Sequence, residues 1–198
     1  MSATLKPAPA APSASSLLDH IMVVERALPG EHCRRLIARF EASETREVCE
    51  REGGHCFTQL DIATAWPEEQ APLLAMFASQ FQRYQQITKA YYWPKNIGFE
   101  HLRVKRYLPN GRDSFPPHVD VMDRDSARRF LTALIYLNAP AGGETVFPYL
   151  DLSIAPETGK LLVFPPLWLF PHEGRPPRLA PKYILHTYLC YGPPEGAG

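Results

Sequence analysis

The sequence predicts a mainly β fold, an antiparallel sandwich or jelly roll, buttressed by N-terminal helices. From Phe99 onward, short strand-like segments alternate with turns that glycine and proline mark, and the chain contains 21 prolines. Two segments before Phe99 instead carry apolar residues at helical spacing. Many short strands with this punctuation are typical of sandwiches and jelly rolls, and the helices are then expected to cover one sheet.

The chain begins with a segment of biased composition. Residues 2–16 are rich in Ala, Pro and Ser, so we predict a disordered tail over residues 1–16. Residues 21–24 then predict a short strand. Pro29-Gly30-Glu31 opens a helix whose apolar residues recur at helical spacing: Cys33, Leu36, Ile37 and Phe40.

A polar segment, residues 41–61, follows this first helix. It contains Gly53-Gly54 and has no clear period, so it is either a loop or an edge hairpin that could cover a site, and the role of residues 41–66 is left open. Residues 67–89 then predict a longer helix that begins at Pro67. Its apolar stripe is expected to pack on a sheet and consists of Leu73, Leu74, Phe77, Phe81 and Tyr84.

The second half of the chain predicts a series of short strands separated by turns. We place six of them at residues 99–108, 130–138, 144–147, 160–164, 169–173 and 183–191. Short strands are not stable alone, and a sheet buries its apolar face only against a second layer. We therefore expect these strands to form one sandwich that the two upstream helices support.

Composition predicts one enzyme-sized domain. A chain of 198 residues with 45% hydrophobic residues can fill a single core, and 21 basic against 21 acidic residues give no general attraction for nucleic acid or anionic membranes. No stretch approaches the ~20 apolar residues that span a bilayer, and residues 1–16 lack the apolar core of a secretion signal. We therefore expect a soluble, cytoplasmic protein with no nucleic-acid or membrane partner.

The cysteines predict free thiols rather than disulfides or a zinc site. Cys33, Cys49, Cys56 and Cys190 show no Cys-x-x-Cys spacing and no zinc-finger spacing to histidine. Thiols in a reducing compartment are the expected state.

The most informative motif is His118-Val119-Asp120, followed by His172 and then Lys182. In an extended strand, residues two apart point to the same side, so His118 and Asp120 could reach one metal ion. Two imidazoles and one carboxylate on one face leave three positions open on a non-haem iron, where a chelating 2-oxo acid and dioxygen could bind. If the far end of that acid is a second carboxylate, a buried cation must meet it, and Lys182 is the candidate.

With its flanking motifs, this region resembles the Fe(II)- and 2-oxoglutarate-dependent dioxygenases of the prolyl 4-hydroxylase type. The resemblance extends in order from about Phe99 to Tyr191, and the motifs that carry it, besides His118-Val119-Asp120, are Arg106-Tyr107, Tyr136-Leu137-Asn138, Gly142-Gly143-Glu144-Thr145, the segment from Gly159 to Phe164, His172-Glu173-Gly174 and Lys182-Tyr183-Ile184. It implies a double-stranded β-helix core. The expected arrangement is one domain over residues 17–198, with helical support at 30–90 and the jelly-roll core at 98–192.

The resemblance also assigns roles to individual residues. It implies that His118, Asp120 and His172 bind iron. It also implies that Lys182, ten residues after His172, binds the 5-carboxylate of 2-oxoglutarate. Tyr107, Tyr136 and Thr145 are then expected to line the cosubstrate pocket. Tyr188 stands six residues after Lys182, where prolyl hydroxylases tend to carry tryptophan. This departure affects the expected substrate preference and not the iron chemistry.

The implied reaction is hydroxylation of a substrate C–H bond, with succinate and CO2 as coproducts. The resemblance implies Fe(II), 2-oxoglutarate and O2, with ascorbate as reductant. Peptidyl proline is the first substrate hypothesis; a free amino acid or a natural-product intermediate is the second. A catalytically silent binding module of the same fold, or a cupin-like metalloenzyme or zinc hydrolase, are further alternatives. Sequence leaves the oligomeric state open.

Strand periodicity adds residues that the motif does not contain. If Lys182 points into the pocket, period two brings His186 and Tyr188 to the same side, with Leu185 and Leu189 toward the helices. The same rule applied to Tyr107 adds Arg103 and Lys105. These four residues, Arg103, Lys105, His186 and Tyr188, are predicted substrate contacts. The two cations either favour a substrate with an anionic group or extend into solvent at the mouth.

Overall fold

The computed structural model describes residues 16–51, 53–90 and 92–192. The predicted disordered tail lies outside this range, except for Ser16, whose side chain caps the short 3-10 turn Leu17–His20. The helices are α1 (Gly30–Ala42), α2 (Ile62–Ala65) and α3 (Pro67–Thr88). The strands are β1 (Met22–Val24), β2 (Glu47–Arg51), β3 (His55–Asp61), β4 (Ile97–Phe99), β5 (Arg103–Tyr107), β6 (Phe115–His118), β7 (Arg129–Tyr136), β8 (Thr145–Phe147), β9 (Leu152–Ile154), β10 (Leu161–Phe164), β11 (His172–Gly174) and β12 (Lys182–Tyr191).

The strands form two antiparallel sheets, as the fold prediction requires. The large sheet has the order β1-β10-β7-β12-β5-β3-β2, with β4 also pairing β12, and the small sheet has the order β6-β11-β8-β9. One apolar core lies between the sheets and combines Phe57, Tyr107, Tyr136 and Phe164 from the large sheet with Phe147 from the small one. The jelly-roll prediction is confirmed.

A second apolar core lies on the other face of the large sheet, under the helices. Alternate residues of the central strands point into it, among them Val104 of β5, Ile135 of β7 and Leu185 of β12. Phe40 of α1 and Phe77 of α3 are fully buried against the same face. Each central strand therefore has both faces buried, which explains the nearly continuous apolar sequences of β7 and β12.

Helix α3 has the ends that its sequence predicts. Pro67 occupies the first turn, where its missing N–H is not needed, and Glu68 and Glu69 lie near the positive end of the helix dipole. Lys89 ends the helix in the left-handed conformation with φ 55°. The predicted stripe faces the sheet, with Leu73, Phe77, Phe81 and Tyr84 buried and Leu74 partly buried. No helix in the described ranges is both long enough and apolar enough to cross a membrane.

Residues 41–61 contain the edge hairpin that was one of the two expectations. Strands β2 and β3 pair with each other through five residue pairs, and β3 also pairs with β5, so the hairpin completes one edge of the large sheet. Gly53 and Gly54, at the turn, both have a φ of 85°. Two consecutive positive φ angles favour glycine, which explains this dipeptide at the turn.

Several predicted strand boundaries were wrong. The strand predicted at 99–108 is divided into β4 and β5, because Leu102 turns away to accept a hydrogen bond from the Ile62 N–H at 2.9 Å. The strand predicted at 169–173 begins only at His172, since the Phe170 N–H closes a turn onto Leu167 O at 2.8 Å.

Two strands were not among the six placed in the second half of the chain, and both belong to the small sheet. Strand β6 contains Pro116 and Pro117, which argue against a strand, but it lies at the sheet edge, where a missing N–H is tolerated. Strand β9 has three residues and gives no readable period. The four cysteines are free thiols, as predicted.

Candidate functional site

Three predicted metal-binding residues come together at the open end of the sandwich. His118 ends β6, His172 begins β11, and the two residues are directly opposite each other in the antiparallel pair. His118 Nε2 lies 3.4 Å from Asp120 Oδ1, and His172 Nε2 lies 3.7 Å from Asp120 Oδ2. Within the described ranges, this is the one group of three or more His, Cys, Asp or Glu residues whose side-chain atoms could hold an ion, all within 4.8 Å of one another.

Asp120 reaches the site from a bend rather than from a strand. Strand β6 stops at His118, and the Asp120 N–H donates to Pro166 O at 3.2 Å. The expectation that His118 and Asp120 share one face of an extended strand was therefore wrong in detail. The cause is Pro116-Pro117, which limits the strand to a short edge segment. The carboxylate nevertheless ends beside both imidazoles.

Hydrogen bonds fix both imidazoles in the orientation that metal binding requires. His118 Nδ1 is 2.8 Å from Pro116 O, and His172 Nδ1 is 3.1 Å from Phe170 O. A carbonyl oxygen only accepts hydrogen bonds, so each Nδ1 must carry the proton. Each Nε2 then presents its lone pair toward Asp120, as in protein sites where a second hydrogen bond orients a metal-binding histidine.

The charge states also suit a metal ion. Burial lowers the pKa of His172 to about 4, so its imidazole is neutral at physiological pH. Burial alone would raise the pKa of Asp120, but the adjacent imidazoles of His118 and His172 hold that pKa well below its usual range. Asp120 Oδ2 is buried and has no hydrogen-bond partner. A bound cation would satisfy that oxygen, and the residues therefore fit a divalent metal such as iron(II).

Three of the predicted cosubstrate residues, Tyr107, Thr145 and Lys182, line the inner part of the same cavity, whereas Tyr136 is fully buried and is not among its lining residues. Lys182 is 3% exposed, and its Nζ lies 5.1 Å from the centre of the Tyr107 ring and 5.7 Å from that of Tyr136. The Tyr136 hydroxyl donates to Thr145 Oγ1 at 2.6 Å. Burial lowers the pKa of Lys182 to about 8, an effect that Glu144 partly opposes. The pocket therefore holds a cation that an anionic guest would stabilise.

A wider cavity of about 580 Å³ forms the mouth of the site. Residues common to the inner cavity and the mouth mark the boundary between them: Lys105, Phe115, His118, Asp120, His186 and Tyr188. The strand periodicity is confirmed, because Arg103, Lys105, His186 and Tyr188 line these cavities while Leu185 and Leu189 lie in the helix-side core.

The four predicted substrate residues already have contacts of their own. Arg103 Nε lies 3.8 Å from Asp61, and His186 Nε2 lies 3.0 Å from Thr132 Oγ1. Lys105 is buried, with Nζ 5.0 Å from the Phe57 ring centre. The Tyr188 hydroxyl donates to Asp120 Oδ1 at 2.8 Å, so it contacts a predicted metal-binding residue.

Two further residues beside Asp120 were not predicted. Arg129 donates to both carboxylate oxygens of Glu100, at 2.8 and 2.6 Å, and to Asp120 O at 3.1 Å. Its guanidinium carbon lies 4.2 Å from the centre of the Tyr188 ring. No sequence signal identifies Glu100, because it lies in the short irregular segment between β4 and β5. Thr132 could have been found, since it shares the inward parity of Tyr136 on β7.

Comparison with known proteins agrees with this geometry. A family model described as the 2OG-Fe(II) oxygenase superfamily matches residues 102–190. A structure of the viral collagen prolyl hydroxylase from Paramecium Bursaria Chlorella virus-1, a 2OG complex, superposes with a TM-score of 0.64 at 21% identity, covering 88% of this chain and 97% of that one. A search of curated protein sequences found no match.

Two further solved structures share the fold. A prolyl hydroxylase from Trichoplax adhaerens, in complex with a hypoxia inducible factor peptide fragment, gives a TM-score of 0.69 at 18% identity, covering 87% of this chain and 84% of that one. A Pseudomonas putida prolyl-4-hydroxylase gives 0.62 at 18% identity, covering 88% and 94%. At these identities, the likenesses establish the fold.

Proposed function

We propose that this chain, whose residues 102–190 match the 2OG-Fe(II) oxygenase superfamily, is a dioxygenase of that superfamily and hydroxylates a proline residue of a peptide. As a dioxygenase of this superfamily, it consumes 2-oxoglutarate and O2. One oxygen atom enters the succinate that remains after loss of CO2, and the other replaces the hydrogen of the substrate C–H bond as hydroxyl.

The observation that carries the proposal is the joint geometry of the three metal-binding residues and Lys182. His118, Asp120 and His172 present their atoms within 4.8 Å of one another, and Lys182 is buried in the cavity that they adjoin. Iron(II), when bound, supplies the redox chemistry that couples cosubstrate decarboxylation to hydroxylation. A zinc hydrolase would need the three residues but has no use for a buried lysine opposite them.

The remaining residues of the pocket bind and orient. The charge of Lys182 meets the distal carboxylate of 2-oxoglutarate, and Tyr107 and Thr145, which line the inner cavity, enclose its chain. Burial raises the pKa of Tyr107 and of Tyr136, so both remain neutral phenols; the proton of Tyr136 is donated to Thr145 Oγ1, which supports that residue from behind. Such a dry, preorganised pocket holds the cosubstrate in one orientation, which is the main contribution that the protein makes to the reaction.

Two observations support a peptidyl substrate. The mouth is wide, about 580 Å³, and the structurally similar Trichoplax protein was solved with a peptide fragment. A free amino acid or another small acid is the second candidate, which the cations Arg103 and Lys105 at the mouth favour. We also propose ascorbate as the reductant and the cytoplasm as the location. A silent binding module would have no need of a complete metal-binding triad.

The test of the metal and cosubstrate sites is spectroscopic. Anaerobic protein should bind one Fe(II), and 2-oxoglutarate should then produce the weak visible charge-transfer band of a chelated oxo acid. His118→Ala, Asp120→Ala and His172→Ala should each abolish the band. His32→Ala is the matched control, because His32 pairs with Glu69 at 3.0 Å between the helices. Retention of the band in His172→Ala would show that the distal metal-binding residue is misassigned.

The test of the substrate is a comparison of product masses. Succinate release is measured with proline-containing peptides, with free L-proline and with other amino acids, and each reaction is analysed for a gain of one oxygen atom. Peptide-dependent succinate release with an oxidised peptide supports the proposal. Oxidation of a free amino acid alone would replace it with the second candidate.

A further inference from the structure

We propose that Tyr188 is a positioning residue that restricts Asp120 to binding the metal through one oxygen. This inference rests on the proposed function, since it concerns the same metal centre. The hydroxyl of Tyr188 donates to Asp120 Oδ1 at 2.8 Å, whereas Asp120 Oδ2 has no hydrogen-bond partner. The protein thus directs one lone pair of Oδ1 toward Tyr188, whereas Oδ2 is the oxygen that accepts no hydrogen bond and is left for a metal.

The position of Tyr188 is itself tightly determined. Its ring lies between the Arg129 guanidinium, 4.2 Å from the ring centre, and the His186 ring, whose centre is 4.5 Å away in an edge-on arrangement. Arg129 is held by its two hydrogen bonds to Glu100. The Tyr188 side chain is therefore held from two sides, and its hydroxyl has little freedom to leave Oδ1.

The same arginine also fixes the backbone of Asp120. Arg129 donates to Asp120 O at 3.1 Å, and the Asp120 N–H donates to Pro166 O at 3.2 Å. Asp120 follows the end of β6 and has no strand pairing to hold it. These two hydrogen bonds therefore hold the backbone of Asp120 in place of strand pairing. The Tyr188 hydroxyl then fixes the rotation of the Asp120 carboxylate.

The number of carboxylate oxygens that bind decides how many positions remain open. Carboxylates bind metals through one oxygen or through both. With two histidines, one-oxygen binding leaves three of six octahedral positions, and two-oxygen binding leaves two. A chelating 2-oxo acid and dioxygen together need three. A hydrogen bond that keeps Oδ1 away from the metal thus protects the position that dioxygen requires.

This role differs from the substrate contact that the sequence suggested for Tyr188. A phenol has one proton to donate, and in the structure that proton is directed at Asp120. The ring still borders the mouth, so a substrate can touch its edge. The hydroxyl, however, acts on the substrate only through Asp120 and the metal.

The test uses Co(II) as a spectroscopic probe, without 2-oxoglutarate, in Tyr188→Phe. This variant keeps the ring and removes only the hydroxyl. We expect a visible Co(II) spectrum altered from that of the wild type, because a second carboxylate oxygen is now free to bind. We also expect the affinity of the Co(II) protein for added 2-oxoglutarate to fall about tenfold, the lower end of the usual effect of losing such an orienting hydrogen bond.

Tyr183→Phe is the matched control. Tyr183 lies on the same strand, and its hydroxyl also donates to a carboxylate, Glu41 Oε1 at 2.7 Å, but on the helix-side face. Its Co(II) spectrum and 2-oxoglutarate affinity should equal those of the wild type, and metal-free Tyr188→Phe should unfold within a few degrees of the wild type. Wild-type spectrum and affinity in Tyr188→Phe would overturn the assignment. Failure of the wild-type protein to take up Co(II) would overturn the proposed function as well.

Discussion

At the residue scale, Lys182 carries a charge that the protein alone disfavours. It is 3% exposed, and burial lowers its pKa to about 8. The distal carboxylate of 2-oxoglutarate would reverse this effect, because an opposite charge favours the protonated amine. Proton uptake by Lys182 and binding of the cosubstrate are therefore coupled, with each promoting the other.

This coupling predicts the pH dependence of cosubstrate affinity. Below pH 8 the Lys182 amine of the free protein is protonated and can pair directly with 2-oxoglutarate. Above pH 8 the amine is mostly neutral, so it must take up a proton when 2-oxoglutarate binds. The Kd for 2-oxoglutarate, measured by calorimetry on the metal-loaded protein, should therefore increase by up to tenfold for each pH unit above about 8.

Lys182→Met is the control for this prediction. Its Kd should be higher by at least a hundredfold at pH 7, because a buried carboxylate loses its partner, and it should no longer depend on pH between 7 and 9. Iron affinity should change little. A wild-type Kd in this variant would move the anchor role to Arg103 or Lys105.

The sequence predicted the residues that could hold a metal, and Lys182, because His118-Val119-Asp120 and the ten-residue interval from His172 to Lys182 are recognisable motifs that occur in the order of the resembled family. It could not predict the partner of Tyr188. That contact depends on how the bend after β6 meets β12, two segments that are 68 residues apart at the hydrogen bond. The same holds for Arg129 and Glu100, whose pairing results from the junction of β4, β7 and β12.

At the element scale, the turn between β7 and β8 determines where Lys182 can lie. Gly143 has a φ of 78°, and a Cβ at this position would be 2.9 Å from Lys182 Cδ. We predict that Gly143→Ala displaces the lysine side chain and raises the Kd for 2-oxoglutarate about tenfold, measured by the same calorimetry, while Fe(II) still binds.

Gly111→Ala is the control for Gly143→Ala. It shares the loss of stability from a positive φ but lacks the contact with Lys182. Gly111 has a φ of 72°, but a Cβ there would meet nothing within 4 Å. Both variants should lose about 1 kcal/mol of stability from the positive φ. Equal 2-oxoglutarate affinities in the two variants would contradict the proposed contact between the turn and Lys182.

Helix α3 stabilises the large sheet from the side opposite the site. Phe77 is 0% exposed, and Phe77→Ala should cost about 3–5 kcal/mol in the free energy of unfolding, since it leaves a cavity in the helix-side core. Thermal denaturation should detect a loss of about 10 °C. Ile87→Ala, on the same helix but 55% exposed, should stay within about 0.5 kcal/mol of the wild type. A small effect at Phe77 would mean that α3 is dispensable.

Helices α1 and α3 were predictable because apolar periods over many residues are strong signals. Strands β6 and β9 were not, because their three or four residues carry too little periodicity. The hairpin β2-β3 lies between these cases. Its glycines indicated a turn, but only the pairing of β3 with β5 makes it part of the sheet.

At the scale of the whole molecule, the large sheet connects the two cores. The family model covers residues 102–190, yet β1, β2 and β3 of the same sheet lie outside that segment. Phe40 and Phe77, which cover the sheet, lie outside it as well. The predicted core at residues 98–192 therefore lacks part of the large sheet and the helices that cover it.

We predict that a fragment of residues 98–192 does not fold. It would expose the helix-facing side of the sheet, including Val104, Ile135 and Leu185, which are 0% exposed in the whole chain. Circular dichroism should show no cooperative thermal transition, whereas residues 17–198 should unfold in one step. A cooperative transition in the fragment would show that the helical support is a separate unit.

Strand β6 has a consequence for how a peptide can approach this protein. Among the described residues, no strand pairs with its outer edge along Phe115–His118, although Ser114 just before it bridges to Cys56 of β3. An unpaired edge normally invites another chain to add itself as a further strand. Because the N–H groups of consecutive strand residues point to opposite edges, Pro116-Pro117 leaves the outer edge without one of the amide donors that such an addition needs. We therefore expect this edge to disfavour the addition of a further strand. On the proposed function, a peptide substrate is then expected to be recognised mainly through its side chains in the mouth rather than through its backbone on this strand.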